Sequence, residues 1–421
     1  LTEPARAEEP PSARSGAFNK ASVRDVEPAG LRALCRVDFN VPLGGDGIDD
    51  DSRIRAALPT IELLREREAA VVLASHLGRP KDREPELSLA PVAEHLSRLV
   101  DAPVLMAPAV VGEEVEHEAA TLKAGELMLL ENTRYEPGEA GNDPALSDAL
   151  ARLADLYVDD AFGACHRAHA STVGVAERLP AYAGLLLERE VEELTSLRDN
   201  PEPPLVLVLG GAKVSDKIGL IERFLDRADR ILIGGAMCFS FFRAQGHPTG
   251  DSLVEDEGVE LARRALDRAE RSGCELVLPE DLVLGDRFDA GAEREVSDGV
   301  DVPDGWMGLD VGPATAESYA EAILAAGTVF WNGPMGAFEL EPFAQGTRVV
   351  AQAIAAAPGR TVVGGGDSAA ALGAFGLTER VDWVSTGGGA SLELIEGRPL
   401  PGVEALMDRV EAAEARERAN G

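Results

Sequence analysis

Cysteine is scarce: Cys35, Cys165, Cys238 and Cys274 are the only four in 421 residues. They lie far apart, with no CxxC pair. That excludes a disulfide scaffold and a zinc module, and it fits reduced thiols in a cytoplasmic protein. Lysine is scarcer than its charge partner arginine. Lys20, Lys81, Lys123, Lys213 and Lys217 stand against 35 arginines. No apolar run approaches the ~18 residues of a membrane helix, so no segment is expected to span a bilayer. The opening LTEPARAEEPPSARSG lacks the apolar centre of a secretory signal, and residues 1–18 read as a disordered extension. Several motifs are also missing. There is no GxxxxGK[ST], no strand–GxGxxG–helix and no HExxH, which argues against a P-loop, weakens a dinucleotide site and leaves no support for a zinc protease site.

Negative charge is plentiful. The formal net charge is −34, with 45% apolar and 27% charged residues. The apolar share suits a soluble globular chain of two or three domains. The charge repels phosphate backbones and anionic lipid, so neither nucleic acid nor a membrane surface is expected as a partner. Arginine in place of lysine fits either a GC-rich coding bias or adaptation to salt.

Short apolar runs alternate with amphipathic stretches along the chain. Eleven runs read as strands, at 31–39, 70–75, 102–107, 126–132, 156–160, 204–210, 230–235, 275–279, 327–333, 360–366 and 381–386. Strands alternating with helical spacing predict an α/β protein with parallel sheets. Eleven strands are many for one sheet. The expectation is two doubly wound, Rossmann-like domains at 19–184 and 201–390. A hinge helix over 185–200 would join them, ended by Asp199, Asn200 and the prolines that follow. A last segment, 391–421, would return toward the first domain, with one helix from Val403 to about Arg418.

In open α/β sheets, ligands bind beyond the carboxyl ends of the strands. In the first half those ends carry charge: Arg36, Asp38 and Asn40; His76 and Arg79; Arg134; and His166, Arg167 and His169, with Arg53 opening the first helix. Guanidinium groups converging in so acidic a chain point to a small, multiply charged anion. In the second half the ends carry glycine, at 210–211, 234–235, 333, 336, 364–366 and 387–389. Glycine admits close backbone approach, and helix N-termini attract phosphate. Lys213 and Lys217, four apart, are expected on one side of a helix start. Asp367 either caps the helix that follows or holds Mg²⁺ on phosphates.

An anion half, a nucleotide half and a hinge suggest a small-metabolite kinase. The chain resembles the phosphoglycerate kinase family over residues 19–405. The resemblance rests on nine ordered blocks: RVDFNVP (36–42), RIRAALPTI (53–61), SHLGRP (75–80), ENTR (131–134), DAFGACHRAHA (160–170), GGAKVSDK (210–217), WNGPMG (331–336), GGGDS (364–368) and STGGGASLEL (385–394). It implies Mg²⁺-dependent, reversible phosphoryl transfer from 1,3-bisphosphoglycerate to ADP by a cytoplasmic monomer. Asp38, Asn40, Arg53, His76, Arg79, Arg134 and Arg167 would bind 3-phosphoglycerate. Gly211, Lys213, Lys217, Gly235, Leu309, Asn332, Pro334, Glu339, Gly366, Asp367 and Ser368 would bind the nucleotide. Arg53, Lys217, Gly365 and Gly388 would act on the transferring group, and Asp367 on the metal. Thr133, Cys165 and Ala236 depart from the family's usual residues. A nicotinamide dehydrogenase and a hinged solute-binding module are the competing readings.

Overall fold

The structure is a computed structural model describing residues 18–44 and 47–420, with side chains as far as residue 414. The expected extension therefore lies outside the described residues, except for Phe18, which is only 5% exposed and packs into the core.

All eleven expected strands form. The first lobe holds Arg32–Arg36 (β1), a small hairpin of Leu43–Gly44 (β2) and Gly47–Ile48 (β3), Ala70–Ala74 (β4), Val104–Met106 (β5), Leu127–Leu129 (β6), Leu156–Asp159 (β7) and Ala181–Ala183 (β8). The second holds Leu205–Leu209 (β9), Arg230–Ile233 (β10), Glu275–Val277 (β11), Leu282–Gly285 (β12), Arg294–Val296 (β13), Met307–Val311 (β14), Thr328–Asn332 (β15), Arg360–Gly364 (β16) and Trp383–Val384 (β17). Each lobe is built on a six-stranded sheet, ordered β5-β6-β4-β1-β7-β8 and β11-β10-β9-β15-β16-β17. Every pairing within the two sheets is parallel.

Side chains alternate across each sheet with the strand period of two. Leu34, Val72, Met128 and Tyr157 face one core while Cys35, Val71, Leu129 and Val158 face another. In the second lobe, Leu207 and Phe330 oppose Val208 and Trp331. Both faces are buried, as parallel sheets require.

Each sheet begins at a central strand, builds one side, then crosses back. The order reverses between β1 and β7 and between β9 and β15. These are the switch points where loops diverge and leave a crevice. Close approach there requires glycine. A Cβ on Gly210 would stand 2.1 Å from the Pro334 carbonyl oxygen, and one on Gly333 would stand 2.3 Å from that of Gly210.

The helix Leu185–Asp199 joins the lobes, within the expected 185–200. Asp160, after β7, accepts hydrogen bonds from the Leu186 and Leu187 N–H groups at 2.9 and 3.2 Å, satisfying free donors of the first turn. Leu187, Val191, Leu194 and Leu197 bury one face of the helix in the core cluster that runs through both lobes.

Past residue 390 the chain packs on the first lobe. The Met407 N–H donates to the Ala181 carbonyl at 3.0 Å, and its own carbonyl accepts from Ala21 at 2.8 Å. This backbone pairing breaks the single helix expected from Val403. Two form instead, Pro401–Glu404 and Arg409–Asn420.

Candidate active site

The charged strand ends of the first lobe meet in one cluster. Arg53, in the first turn of the helix Ser52–Glu66, pairs with Asp38 at 2.7 Å. Burial pushes the Asp38 carboxyl up, but His76, Arg53, Arg36 and the Asn40 N–H outweigh it, so its pKa falls below normal. Asn40 Oδ1 accepts from the Gly78 N–H at 2.8 Å, and Arg134 donates to the Gly78 carbonyl. Burial lowers the His76 pKa to about 3; Asp38 opposes this, while Arg36, Arg134 and Arg53 add to it. His76 is therefore neutral near pH 7, and the charge that holds Asp38 ionised there comes from the arginines.

Arg79 and Arg167 are exposed, and neither makes an ion pair among the described residues. Arg167 donates to His166 at 3.1 Å. The uncompensated guanidinium groups sit where an anion would arrive, at the carboxyl ends of the strands.

Arg36, read above as one of the charged strand ends but not among the substrate-binding residues, is a central member. It is 1% exposed, donates to Ser171 Oγ at 2.8 Å and to His76 Nδ1 at 3.1 Å, and also donates to the Val37 carbonyl. Asn132 is a second. Fully buried, it braces the loop before Arg134 by donating to the Leu77 and Leu87 carbonyls at 2.8 and 2.9 Å. The blocks RVDFNVP and ENTR contained both residues. Only their burial separates bracing residues from exposed ones.

In the second lobe, a cavity of about 730 Å³ opens at the β9/β15 switch point. Gly211, Gly235, Leu309, Pro334, Glu339 and Asp367 line it together. Its walls are chiefly backbone and apolar side chains, as suits a flat base with a few polar handles. Beside it, Lys217 donates to Asn332 Oδ1. Burial lowers the Lys217 pKa, while Asp216, Asp367 and Glu396 raise it. Asn332 Nδ2 is buried without a protein partner, and a Cβ on Gly365 would stand 2.9 Å from it. Ser368, fully buried, accepts from the Gly333 N–H at 2.6 Å and ties the two glycine loops together.

The lysine pair departs from expectation. The helix begins only at Ile218, so Lys213 stands in the preceding loop, exposed, with its charge acting on Glu255. Asp367 is not a cap either, because Gly365, at φ +90°, occupies that position before the helix Gly366–Ala374. The carboxylate is exposed at the cavity.

A second cavity of about 1290 Å³ lies between the lobes. Asn40 and Arg53 line it from the first lobe, Gly366 and Gly388 from the second, and Leu186 and Arg189 from the connecting helix. Gly163 provides a close contact across this boundary. A Cβ there would come within 3.7 Å of the Gly387 Cα and 2.9 Å of Asp38 Oδ2.

Among the described residues, no three His, Cys, Asp or Glu side chains group to hold a metal ion, and no helix is long and apolar enough to cross a membrane. Mg²⁺ on a nucleotide needs no such cage. It commonly takes one or two carboxylates with phosphate oxygens and water, which a single exposed Asp367 in the first turn of a helix fits.

Comparison with known proteins agrees with this geometry. Residues 23–398 match the sequence profile of phosphoglycerate kinase. The phosphoglycerate kinase of Herpetosiphon aurantiacus is 54% identical over 394 residues, 93% of this chain and all of that protein. That of Chloroflexus aurantiacus is 54% identical over 398 residues, with the same coverage. Among solved structures, phosphoglycerate kinase from Coxiella burnetii aligns with a TM-score of 0.82 and 40% identity, over 92% of this chain and 98% of that one. The Pyrococcus horikoshii OT3 enzyme aligns at 0.78 and 32%, over 94% and 99%.

Proposed function

Because the chain belongs to the phosphoglycerate kinase family, we propose that its two cavities act as one active site, phosphorylating 3-phosphoglycerate from ATP and running in reverse in glycolysis. The observation that carries this reading is the cleft that Asn40 and Arg53 line from one lobe and Gly366 and Gly388 from the other, next to the glycine-walled cavity.

In this reading Asp38, Asn40, His76, Arg79, Arg134 and Arg167 bind the three-carbon acid, and Arg53 also meets the transferring group. Gly211, Gly235, Leu309, Pro334 and Glu339 frame the nucleoside. Lys213, Lys217, Asn332, Gly366 and Ser368 serve its phosphates. The carboxylate of an acyl phosphate is a good leaving group, so no strong general base is needed. Catalysis is then alignment and charge neutralisation. Arg53 leaves its Asp38 partner, or shares it, to reach the equatorial oxygens. Lys217 supplies the opposing positive charge, and the N–H groups near Gly365 and Gly388 complete the surround. Asp367 would hold Mg²⁺, which neutralises nucleotide phosphate charge when bound.

The domains are proposed as 19–184 and 201–390, hinged by 185–200, in a monomer acting in the cytoplasm. The test is a coupled assay of ATP-dependent 3-phosphoglycerate phosphorylation by the purified chain with Mg²⁺. Turnover is expected. Its absence over a range of salt concentrations overturns the reading.

A further inference from the structure

A buried chain of hydrogen bonds runs away from the arginine cluster and ends on a carboxylate that this mechanism does not use. Glu139 is 1% exposed. Its Oε2 accepts from the Ser171 N–H at 3.0 Å and its Oε1 from the Ser171 hydroxyl at 2.5 Å. The same Ser171 Oγ accepts from Arg36 Nε, and Arg36 donates onward to His76 Nδ1.

The direction of every bond in this chain is determined. A guanidinium only donates, and an ionised carboxylate only accepts. The single Ser171 proton must therefore point at Glu139, which leaves an oxygen lone pair for Arg36. His76 must accept at Nδ1, so a neutral ring carries its proton on Nε2. Taking Glu139 away frees the hydroxyl to rotate. The Ser171 oxygen is then no longer held in front of Arg36 Nε, and the guanidinium loses a fixed acceptor.

We propose that Glu139, acting through Ser171 and Arg36, is a positioning residue for 3-phosphoglycerate, holding His76 in the tautomer that presents an Nε2–H donor to the anion. This rests on the reading of the arginine cluster as the substrate site. It adds to that reading a carboxylate and a serine that touch neither substrate.

The test uses the full chain. Glu139→Leu and Ser171→Ala break the relay at two points, Ser171→Thr keeps the hydroxyl, and Arg134→Ala is the control for the site itself. Glu139→Leu and Ser171→Ala are each expected to raise KM for 3-phosphoglycerate about tenfold, the scale of one hydrogen bond to a charged group. Both kcat and KM for ATP should stay within about twofold. Nitrogen NMR of the His76 ring should move from one defined Nε2–H tautomer to an average of both. Ser171→Thr should restore both readouts. An unchanged KM and tautomer in both relay variants overturns the proposal, as does a parallel rise in both KM values, which would mean general loosening. If Arg134→Ala also leaves KM for 3-phosphoglycerate unchanged, the substrate-site reading itself fails.

Discussion

At the scale of single residues, the site separates groups that meet charge throughout binding from those that meet it only as the phosphoryl group moves. Arg53 sits at the cleft with its side chain 35% exposed and already paired to Asp38. Replacing Arg53 or Lys217 by Ala should cut kcat by about 10²–10³, the loss typical of one preorganised transition-state donor. Arg134→Ala should act chiefly on KM, because it would hold ground and transition states alike. Steady-state kinetics with both substrates varied checks the division, and an intact kcat in Arg53→Ala would assign that residue a structural role. His76 gives a second prediction. Its folded pKa of about 3 lies well below the ordinary ~6.5. Between those values the unfolded chain binds the extra proton, so stability is lost as pH falls through that window. Relative to His76→Gln, the protein should lose about 1.4 kcal/mol per pH unit between roughly pH 6 and 4. Asp160 and Asp310, raised by burial to about 7 and about 8, act with the opposite sign, so the difference between the two proteins is the quantity to measure. A flat difference in denaturant unfolding would mean His76 protonates freely in the fold. The sequence made the anion-facing residues legible because strand ends are recognisable. Ser171, Glu139 and the bracing contacts of Arg36 were not, because they depend on burial and on neighbours 32 to 135 residues away.

At the scale of elements, the connecting helix is bound to the second lobe through one buried carboxylate. Glu190 accepts from the Thr386 N–H at 2.6 Å, the Thr386 hydroxyl at 2.8 Å and the Trp383 indole at 3.1 Å. Burial raises its pKa against those hydrogen bonds. Arg189 stacks over the Trp383 ring at 4.4 Å, and Arg360 reaches Ser196 at 2.9 Å. Glu190→Ala should therefore cost at least the ~1–3 kcal/mol of one orphaned buried donor, while the exposed Glu192→Ala stays within about 0.5 kcal/mol. Equal denaturation midpoints for the two would show that the helix is not latched there. The central parallel strands of both lobes were readable as apolar runs flanked by glycine or charge. The strand β8, only Ala181–Ala183, was too short and alanine-rich to stand out, and it forms because β7 supplies a partner. The antiparallel sheet β13-β12-β14 was also missed. Its outer strand β13 is exposed throughout, so it lacks the alternation that marks a half-buried strand. The break between the last two helices depends on Met407 pairing with Ala21 and Ala181, which helical spacing alone cannot reveal.

At the scale of the whole molecule, the two halves of the chemistry belong to different lobes. In-line transfer requires reacting atoms ~3–3.5 Å apart. A cleft of about 1290 Å³ still separates Arg53 from the Gly366 and Gly388 loops. Lobes joined mainly by one helix are expected to move relative to each other. The net charge of −34 also favours an open resting state, since both lobes repel like charge and each substrate adds more. Positive groups must gather around both anions before closure becomes favourable. Arg53, Lys217 and the glycine-loop N–H groups do so only when the lobes approach, so neither substrate alone completes the cage. Closure also expels water that would hydrolyse an acyl phosphate. Bending is expected at the ends of Leu185–Asp199 and after Ser385, where glycines 387–389 join the Glu190 latch to the cleft. Solution X-ray scattering reads this directly. The radius of gyration should fall with 3-phosphoglycerate and a non-hydrolysable ATP analogue together, and change little with either one. An unchanged radius with both ligands demonstrably bound would mean that the cage is assembled before substrates arrive, and that rigid lobes deliver Arg53 to the phosphoryl group by side-chain motion alone.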